Sequence, residues 1–326
     1  MGVGYAPAHH GELLQGVFED EHGRLRRALV TLPMPERGSR AVFYPCQHHW
    51  GIVGTPELIK VRRAALLTLR ELATHPAPAK GGQIEITSDV PHGLGMGSST
   101  SDVTATIRAV ADYHGVRLPR EVEGRLAVRA ECASDSIMID DRVVLFAHRD
   151  GVVLEELGYR LPPLLVVGCN TQPGDRVDTL RFRPAEYHPD EVAAFRVLRA
   201  GIRRAIATGD VTLLGKVATA SARINQRFLP KPVLDDLLAI GRRLGAAGVQ
   251  VAHSGTVAGL IFDARRPDRQ EVVAACREAL TGLGLPITAV IRLDPDASTD
   301  WSTSGASTAS DHSPRRTPAD PREVAA

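Results

Sequence analysis

Residues 91–101 read PHGLGMGSSTS. Glycine recurs at 93, 95 and 97, and hydroxyl side chains then run into VTATIRAVADYHG (103–115). Glycine loses more backbone freedom on folding than any other residue, so three at alternate positions imply a need for bare backbone. Upstream, GQIEITSDV (82–90) alternates as a strand does. Downstream, apolar spacing predicts a helix over about 99–113 that ends near Gly115. Two readings fit this order. One is a plain turn feeding a helix. The other is an anion cradle, because a helix N-terminus leaves N–H groups unpaired and carries partial positive charge. In that reading glycines let backbone wrap phosphates, and Ser98, Ser99 and Thr100 add donors or a metal ligand. The loop is not a Walker A motif and lacks the dinucleotide GxGxxG spacing.

The totals set the outer bounds. At 326 residues the chain suits one large domain or two ordinary ones. Its formal net charge of +1 and aromatic content of 4% give no reason to expect nucleic acid or an anionic membrane as a partner. Cys46, Cys132, Cys169 and Cys276 are scattered without a CxxC pair, which fits free thiols in a reducing cytoplasm. No apolar run approaches the roughly 20 residues that span a bilayer, and no secretory signal opens the chain.

Apolar patterning predicts strands near 2–7, 12–18, 25–32 and 40–45, then a helix over 57–75. After the loop helix come a helix over 119–132 and strands at 143–147, 152–156 and 164–168. Three helices follow at 190–207, 211–225 and 233–247. Strands at 248–253 and 256–263, a helix at 268–281 and a strand at 287–293 complete the pattern. Strands and helices mix without a regular βαβ repeat, which makes the fold class α+β in two domains. Residues 296–326 are rich in Ser, Thr, Pro and Asp and read as a disordered tail.

The stretch from Pro91 to Ser101 resembles the Pro-x-Gly-x-Gly-Leu-Gly-Ser-Ser-Ala-Ala signature of the GHMP kinases, the superfamily of galactokinase, homoserine, mevalonate and phosphomevalonate kinases. Met96 replaces the usual Leu, and Thr100 and Ser101 replace the two Ala. YAPAHHGELLQG (5–16) looks like that family's N-terminal motif in rearranged form. VAHSGTVAGLIFD (251–263) resembles its C-terminal glycine-rich turn. GELLQG (11–16), SDSIMI (134–139), NTQPGDRVDT (170–179) and INQRFLPKP (224–232) look most like the L-threonine kinase branch, whose product O-phospho-L-threonine is a precursor of the cobalamin linker.

The resemblance implies a ribosomal protein S5 domain 2-like N-terminal domain (1–158), a ferredoxin-like C-terminal domain (159–295) and the tail. It implies transfer of the ATP γ-phosphoryl to the hydroxyl of L-threonine, with Mg2+. Homoserine, another small alcohol, or a non-catalytic nucleotide-binding role are the alternatives. A homodimer is compatible with this reading. Pro91, Gly93, Leu94, Gly95, Met96, Gly97, Ser98, Ser99 and Thr100 would cradle the nucleotide. Ser98 and Glu131 would hold the metal, although Ser98 also suits an N-cap. Asp135 would act as base or orient the hydroxyl. The family often places a lysine beside that aspartate; here the N-terminal motif offers His9 and His10. Asp140 and Asp141 read as a solvated turn. Glu12, Gln15, Asp178, Thr179, Asn225, Ser254, Gly255 and Thr256 are the acceptor-side candidates. Asn225 also suits a helix end, and 254–256 also suits a hairpin turn.

Overall fold

The computed structural model describes residues 1–48, 51–53, 58–74, 79–174 and 185–293. The expected tail lies outside them. The chain opens with a long antiparallel hairpin, β1 (Gly2–Glu19) and β2 (Leu25–Cys46). Alternation in the sequence breaks these into four short strands, because Pro7, Pro33, Pro35 and Gly38 look like stops. The structure instead absorbs the breaks as register shifts at Pro7/Ala8 and between His9 and Leu14. Such bulges bend a strand and re-aim side chains without ending it.

Next come β3 (Gly51–Val53), α1 (Ile59–Glu71), β4 (Gly81–Ser88), α2 (Ser98–Tyr113) and α3 (Arg120–Glu131). A 3₁₀ turn at Ser136–Met138 leads to β5 (Val143–Ala147), β6 (Val152–Gly158) and β7 (Leu164–Asn170). The remaining elements are α4 (Pro189–Thr208), α5 (Val211–Asn225), α6 (Leu234–Leu244), β8 (Gly248–Val251), β9 (Val257–Asp263), α7 (Arg269–Gly282) and β10 (Ile287–Leu293). One sheet links both halves in the order β10-β7-β9-β8-β1-β2-β4-β3, and the β5–β6 hairpin joins it through β2. Among the described residues every pairing is antiparallel except β3–β4. The expected boundary at 158/159 falls at the end of β6.

Small residues set how close α2 lies to the sheet. A Cβ on Gly2 would sit 2.2 Å from the Ala109 oxygen, and one on Gly4 2.1 Å from the Ala105 oxygen. Strand and helix therefore meet backbone to backbone, and Ser101 Oγ donates to the Ala6 oxygen at 2.8 Å across the contact. In the other half β7 is buried on both faces: Leu164 and Val166 face α4 and α5, while Leu165, Val167 and Cys169 face α6 and α7. Continuous apolar runs are what such doubly covered strands require. Phe43, Phe146, Phe195 and Phe262 are fully buried, each worth about 1.5–3 kcal/mol. All four cysteines are unpaired.

The segment after α3 is pinned by charge. Arg108 of α2 donates to Glu123, to Asp140 at 2.9 Å and to the Met138 oxygen at 3.1 Å. Arg120 adds contacts to Glu123 and Asp140. The solvated-turn expectation therefore fits exposed Asp141 but is corrected for Asp140, whose carboxylate is drawn inward by two guanidinium groups. Arg108→Ala is expected to lower stability by about 1.5–3 kcal/mol in urea unfolding, because it leaves buried Glu123 and partly buried Asp140 with Arg120 as their remaining guanidinium partner.

Candidate functional site

The glycine loop connects β4 to α2. Pro91 is exposed at its entrance, and Gly93, Gly95 and Gly97 all adopt positive φ, at 82°, 79° and 74°. Side chains with a Cβ rarely take that conformation. At two positions space is also denied. A Cβ on Gly95 would sit 2.5 Å from Gly255 Cα, and one on Gly97 would sit 2.2 Å from His9 Cδ2. The loop therefore touches the 254–256 turn on one side and β1 on the other. Leu94 contributes its carbonyl oxygen, which accepts the N–H groups of Thr256 and Val257 at 2.9 and 3.3 Å. The Met96 oxygen accepts His9 N–H at 3.2 Å, and the Met96 side chain is buried in the core.

Gly97, in the left-handed conformation, is the N-cap of α2, and no side chain caps the helix. The alternative of Ser98 as N-cap is not realised; Ser98 is the first helical residue. Behind it, Ser99 Oγ donates to Glu131 Oε2 at 2.6 Å and Thr100 Oγ1 donates to Glu131 Oε1 at 2.9 Å. Lys60 Nζ donates to Ser99 Oγ at 3.0 Å and lies 3.7 Å from Glu131 Oε2. Burial raises the Glu131 carboxyl above its ordinary range, against Ser99, Lys60 and Thr100, which favour its charge. A buried carboxylate and hydroxyls at the head of a helix form an all-oxygen donor set, the kind that Mg2+ takes.

Asp135 follows Cys132, the α3 C-cap, whose left-handed φ of 70° turns the chain back toward the loop. Ser134 N–H donates to the His148 oxygen at 2.8 Å, and Ser136 Oγ bonds Thr31 Oγ1 at 2.9 Å, fixing the segment on either side. Asp135 Oδ2 lies 2.8 Å from His9 Nε2 and 3.4 Å from Thr100 Oγ1. Gly11 N–H donates to His9 Nδ1 at 3.2 Å, which assigns the ring proton to Nε2, facing Asp135. Burial pushes Asp135 up, but the electrostatic pull and hydrogen bond of the His9 Nε2–H, followed by His253, outweigh it and hold the carboxyl well below its usual range. Burial lowers His9, but Asp135 and Glu12 raise it further. The other Asp135 oxygen, Oδ1, is buried without a hydrogen-bond partner.

Strand alternation separates the two histidines. His10 faces away from Asp135, between Thr288 Oγ1 at 2.7 Å and Gln250 Nε2 at 2.8 Å, and burial lowers its pKa to about 4. Glu12 returns to the site side. Its oxygens accept His253 N–H at 2.7 Å and His253 Nδ1–H at 2.8 Å. His253 also lies 3.7 Å from Asp135 Oδ1. Burial opposes its cation, but Glu12 raises its pKa to about 9. Further along β1, Gln15 N–H donates to Ser221 Oγ at 2.9 Å, and the Gln15 oxygen accepts Asn225 Nδ2 at 3.1 Å. Asn225 also binds the Ser221 oxygen and Tyr187 Oη, so it is a strut between β1 and α5. The Thr256 oxygen accepts two bonds from Thr171. Asp178 and Thr179 lie outside the described residues.

The structure thus gathers the loop, Glu131, Asp135, Glu12 and the 254–256 turn in one place. The His253–Glu12 and Lys60–Ser99 contacts are not visible in motif spacing, although His253 does stand inside a motif stretch. His9, Glu12 and Asp135 also bring one ligand atom each within 4.8 Å of one another, but hydrogen bonds already engage these groups.

The family model for the GHMP kinases N terminal domain matches residues 60–144, and that for GHMP kinases C terminal matches 202–281. An L-threonine kinase of Citrobacter freundii is 32% identical over 288 residues, 82% of this chain and 88% of that protein. The chain belongs to the GHMP kinases. This GHMP kinase is also 27% identical to an L-threonine kinase of Salmonella typhimurium, over 82% of the chain and 85% of that protein. A homoserine kinase from Cytophaga hutchinsonii shares the fold, with a TM-score of 0.64 at 18% identity over 89% of this chain and 95% of that one. A Streptococcus pneumoniae phosphomevalonate kinase superposes with a TM-score of 0.65 at 11% identity over 89% and 99% of the two chains. The GHMP kinase is therefore a two-domain α+β phosphotransferase that uses ATP and an alcohol acceptor. No helix of the described residues is long and apolar enough to cross a membrane.

The raised His253 sets a pH dependence. A histidine whose folded pKa exceeds its unfolded value of 6.5 contributes stability that is full below that value and lost as pH rises through about 9. Lys231, lowered to about 8, has the opposite sign above that pH. Tm is thus expected to fall between pH 6.5 and 8, and His253→Asn is expected to flatten that fall in thermal scans across the range.

Proposed function

We propose that this GHMP kinase transfers the γ-phosphoryl of ATP to the side-chain hydroxyl of L-threonine, giving O-phospho-L-threonine and ADP. The observation that carries the reading is Asp135: an ionised carboxylate beside the loop, with one oxygen engaged by His9 and the other free. The curated relatives named as L-threonine kinases support the acceptor.

Phosphoryl transfer has a loose transition state, so positioning and charge neutralisation dominate. Backbone N–H groups over 93–100 hold the triphosphate at the head of α2. Ser98 and Glu131 would hold Mg2+, which when bound neutralises charge on the phosphate oxygens. Asp135 Oδ1 accepts the hydrogen bond of the acceptor hydroxyl and aims its oxygen at the γ-phosphorus. The new O–P bond forms as the bond to the ADP oxygen breaks, and the hydroxyl proton leaves late toward Asp135. A carboxylate held this acidic is a weak base, so it serves mainly to orient. His9 takes the place of the family's lysine in holding that charge. Glu12 and the turn of Ser254, Gly255 and Thr256 border the acceptor, and Gln15 and Asn225 brace its floor. We assign nucleotide binding to 1–158 and the closing turn to 159–295, with the enzyme working in the cytosol.

A coupled ADP-release assay over L-threonine, L-serine and L-homoserine tests this. L-Threonine is expected to give the highest kcat/KM. A preference for homoserine would replace the acceptor but keep the reaction. No turnover above the ATPase background would overturn the kinase reading of the site.

A further inference from the structure

Beyond α5 the chain passes through QRFLPKP (226–232), and Lys231 is buried there with 2% of its surface exposed. Its backbone is fixed on both sides. Lys231 N–H donates to Gln226 Oε1 at 2.6 Å, and its carbonyl oxygen accepts Leu234 N–H at 3.0 Å. Gln226 is itself tied to the Ala222 oxygen at 3.3 Å. This much anchoring holds the side chain in place, yet Nζ has no hydrogen-bond partner. A buried ammonium without a partner is among the costliest unsatisfied groups a fold can carry.

Its surroundings identify the missing partner. Glu12 is the carboxylate that acts on Lys231, but both Glu12 oxygens are already taken by His253. Asp135 Oδ2 is engaged by the His9 Nε2–H. The Lys231 ammonium is therefore the donor in this cluster without a direct partner. His253 interacts electrostatically with Lys231 and lies 3.7 Å from Asp135 Oδ1, the other unsatisfied group. A bare donor and a bare acceptor thus share one histidine neighbour. An amino acid with a side-chain hydroxyl presents the complementary pair, a carboxylate and a hydroxyl a few bonds apart.

We infer that the Lys231 ammonium anchors the carboxylate of the acceptor and so selects amino acids over simple alcohols. This rests on the amino-acid reading above. A nucleotide phosphate offers the same anionic oxygens, but the head of α2 already has a cation of its own, Lys60 on Ser99. Lys231 belongs instead to the Glu12–His253 side.

The test compares wild type, Lys231→Met and Lys231→Gln with L-threonine and with L-threoninamide, which keeps the hydroxyl and loses the carboxylate charge. Wild type is expected to show a KM for the amide about 100-fold above that for threonine, the scale of a truncated buried charge contact. Lys231→Met is expected to raise KM for threonine by about the same factor, with kcat and KM for ATP held within a few-fold and the amide unaffected. Equal losses on both acceptors, a rise in KM for ATP, or no change on threonine would overturn the assignment while leaving the kinase reading intact. Failure of wild type to phosphorylate any hydroxy amino acid would overturn both. Removing an unpaired buried charge should hold or raise Tm, and Lys231→Gln repeats the kinetic comparison if the methionine variant does not fold. A fall in Tm in both variants would mark the lysine as structural and overturn the assignment.

Discussion

Asp135→Asn is expected to lower kcat with L-threonine by about 10²–10³-fold, a loss of roughly 3–4 kcal/mol of transition-state stabilisation. The direction follows from the hydrogen-bond pattern. His9 presents Nε2–H to Oδ2, so an asparagine must turn its carbonyl oxygen toward His9. Its NH2 group then occupies the position of Oδ1. The acceptor hydroxyl meets a donor where it needs an acceptor, and the negative charge is gone as well. Folding should survive, because the shape and the His9 contact are kept. Coupled ADP release with a parallel thermal scan checks both halves, and kcat within threefold of wild type would remove Asp135 from the reaction. The same substitution should also blunt acid sensitivity. A carboxyl depressed in the folded state gives stability that is present above its unfolded pKa and lost as pH falls through the folded one.

The second large effect is expected at Gly255. A Cβ there would lie 2.2 Å from the Leu94 oxygen and 2.3 Å from Gly95 Cα. Both neighbours are backbone, so no side chain can swing aside. Gly255→Ala must push the 254–256 turn off the glycine loop and weaken the bonds from Thr256 and Val257 to Leu94. Displacement of this kind is expected to cost about 100-fold in kcat/KM for ATP, with about 1–3 kcal/mol of stability lost to overpacking. Gly282→Ala is the control, since nothing lies within 4 Å of its added methyl. Equal behaviour of the two variants in activity would show that contact between the turns is irrelevant.

The glycine loop was the most legible part of this molecule. Its residue types answer to local demands, positive φ and close backbone approach, that a sequence states directly. Helices were legible for a similar reason: α2, α5 and α7 follow apolar spacing to within a residue or two of their ends. The long hairpin was not, because Pro7 and Gly38 announce breaks whose repair depends on a partner strand. The inward-drawn carboxylate of Asp140 is illegible for the same kind of reason. Its two arginine partners come from α2 and the start of α3. The contacts between His253 and Glu12, and between His9 and Asp135, join residues far apart in the chain. Spacing carries no trace of such pairs. A lysine in a short proline-flanked stretch likewise gives no sign that its head group is buried and bare.

One strand holds several of these contacts in register. His9 of β1 meets Asp135, Glu12 meets His253, and Gln15 meets Ser221 and Asn225. Any change that slides or tilts β1 moves all of them together, so substitutions along it should be strongly epistatic rather than independent. Altered acceptor choice would then be hard to reach by single steps within this strand. Evolution toward other alcohols has a freer path through the segments that meet β1 from outside.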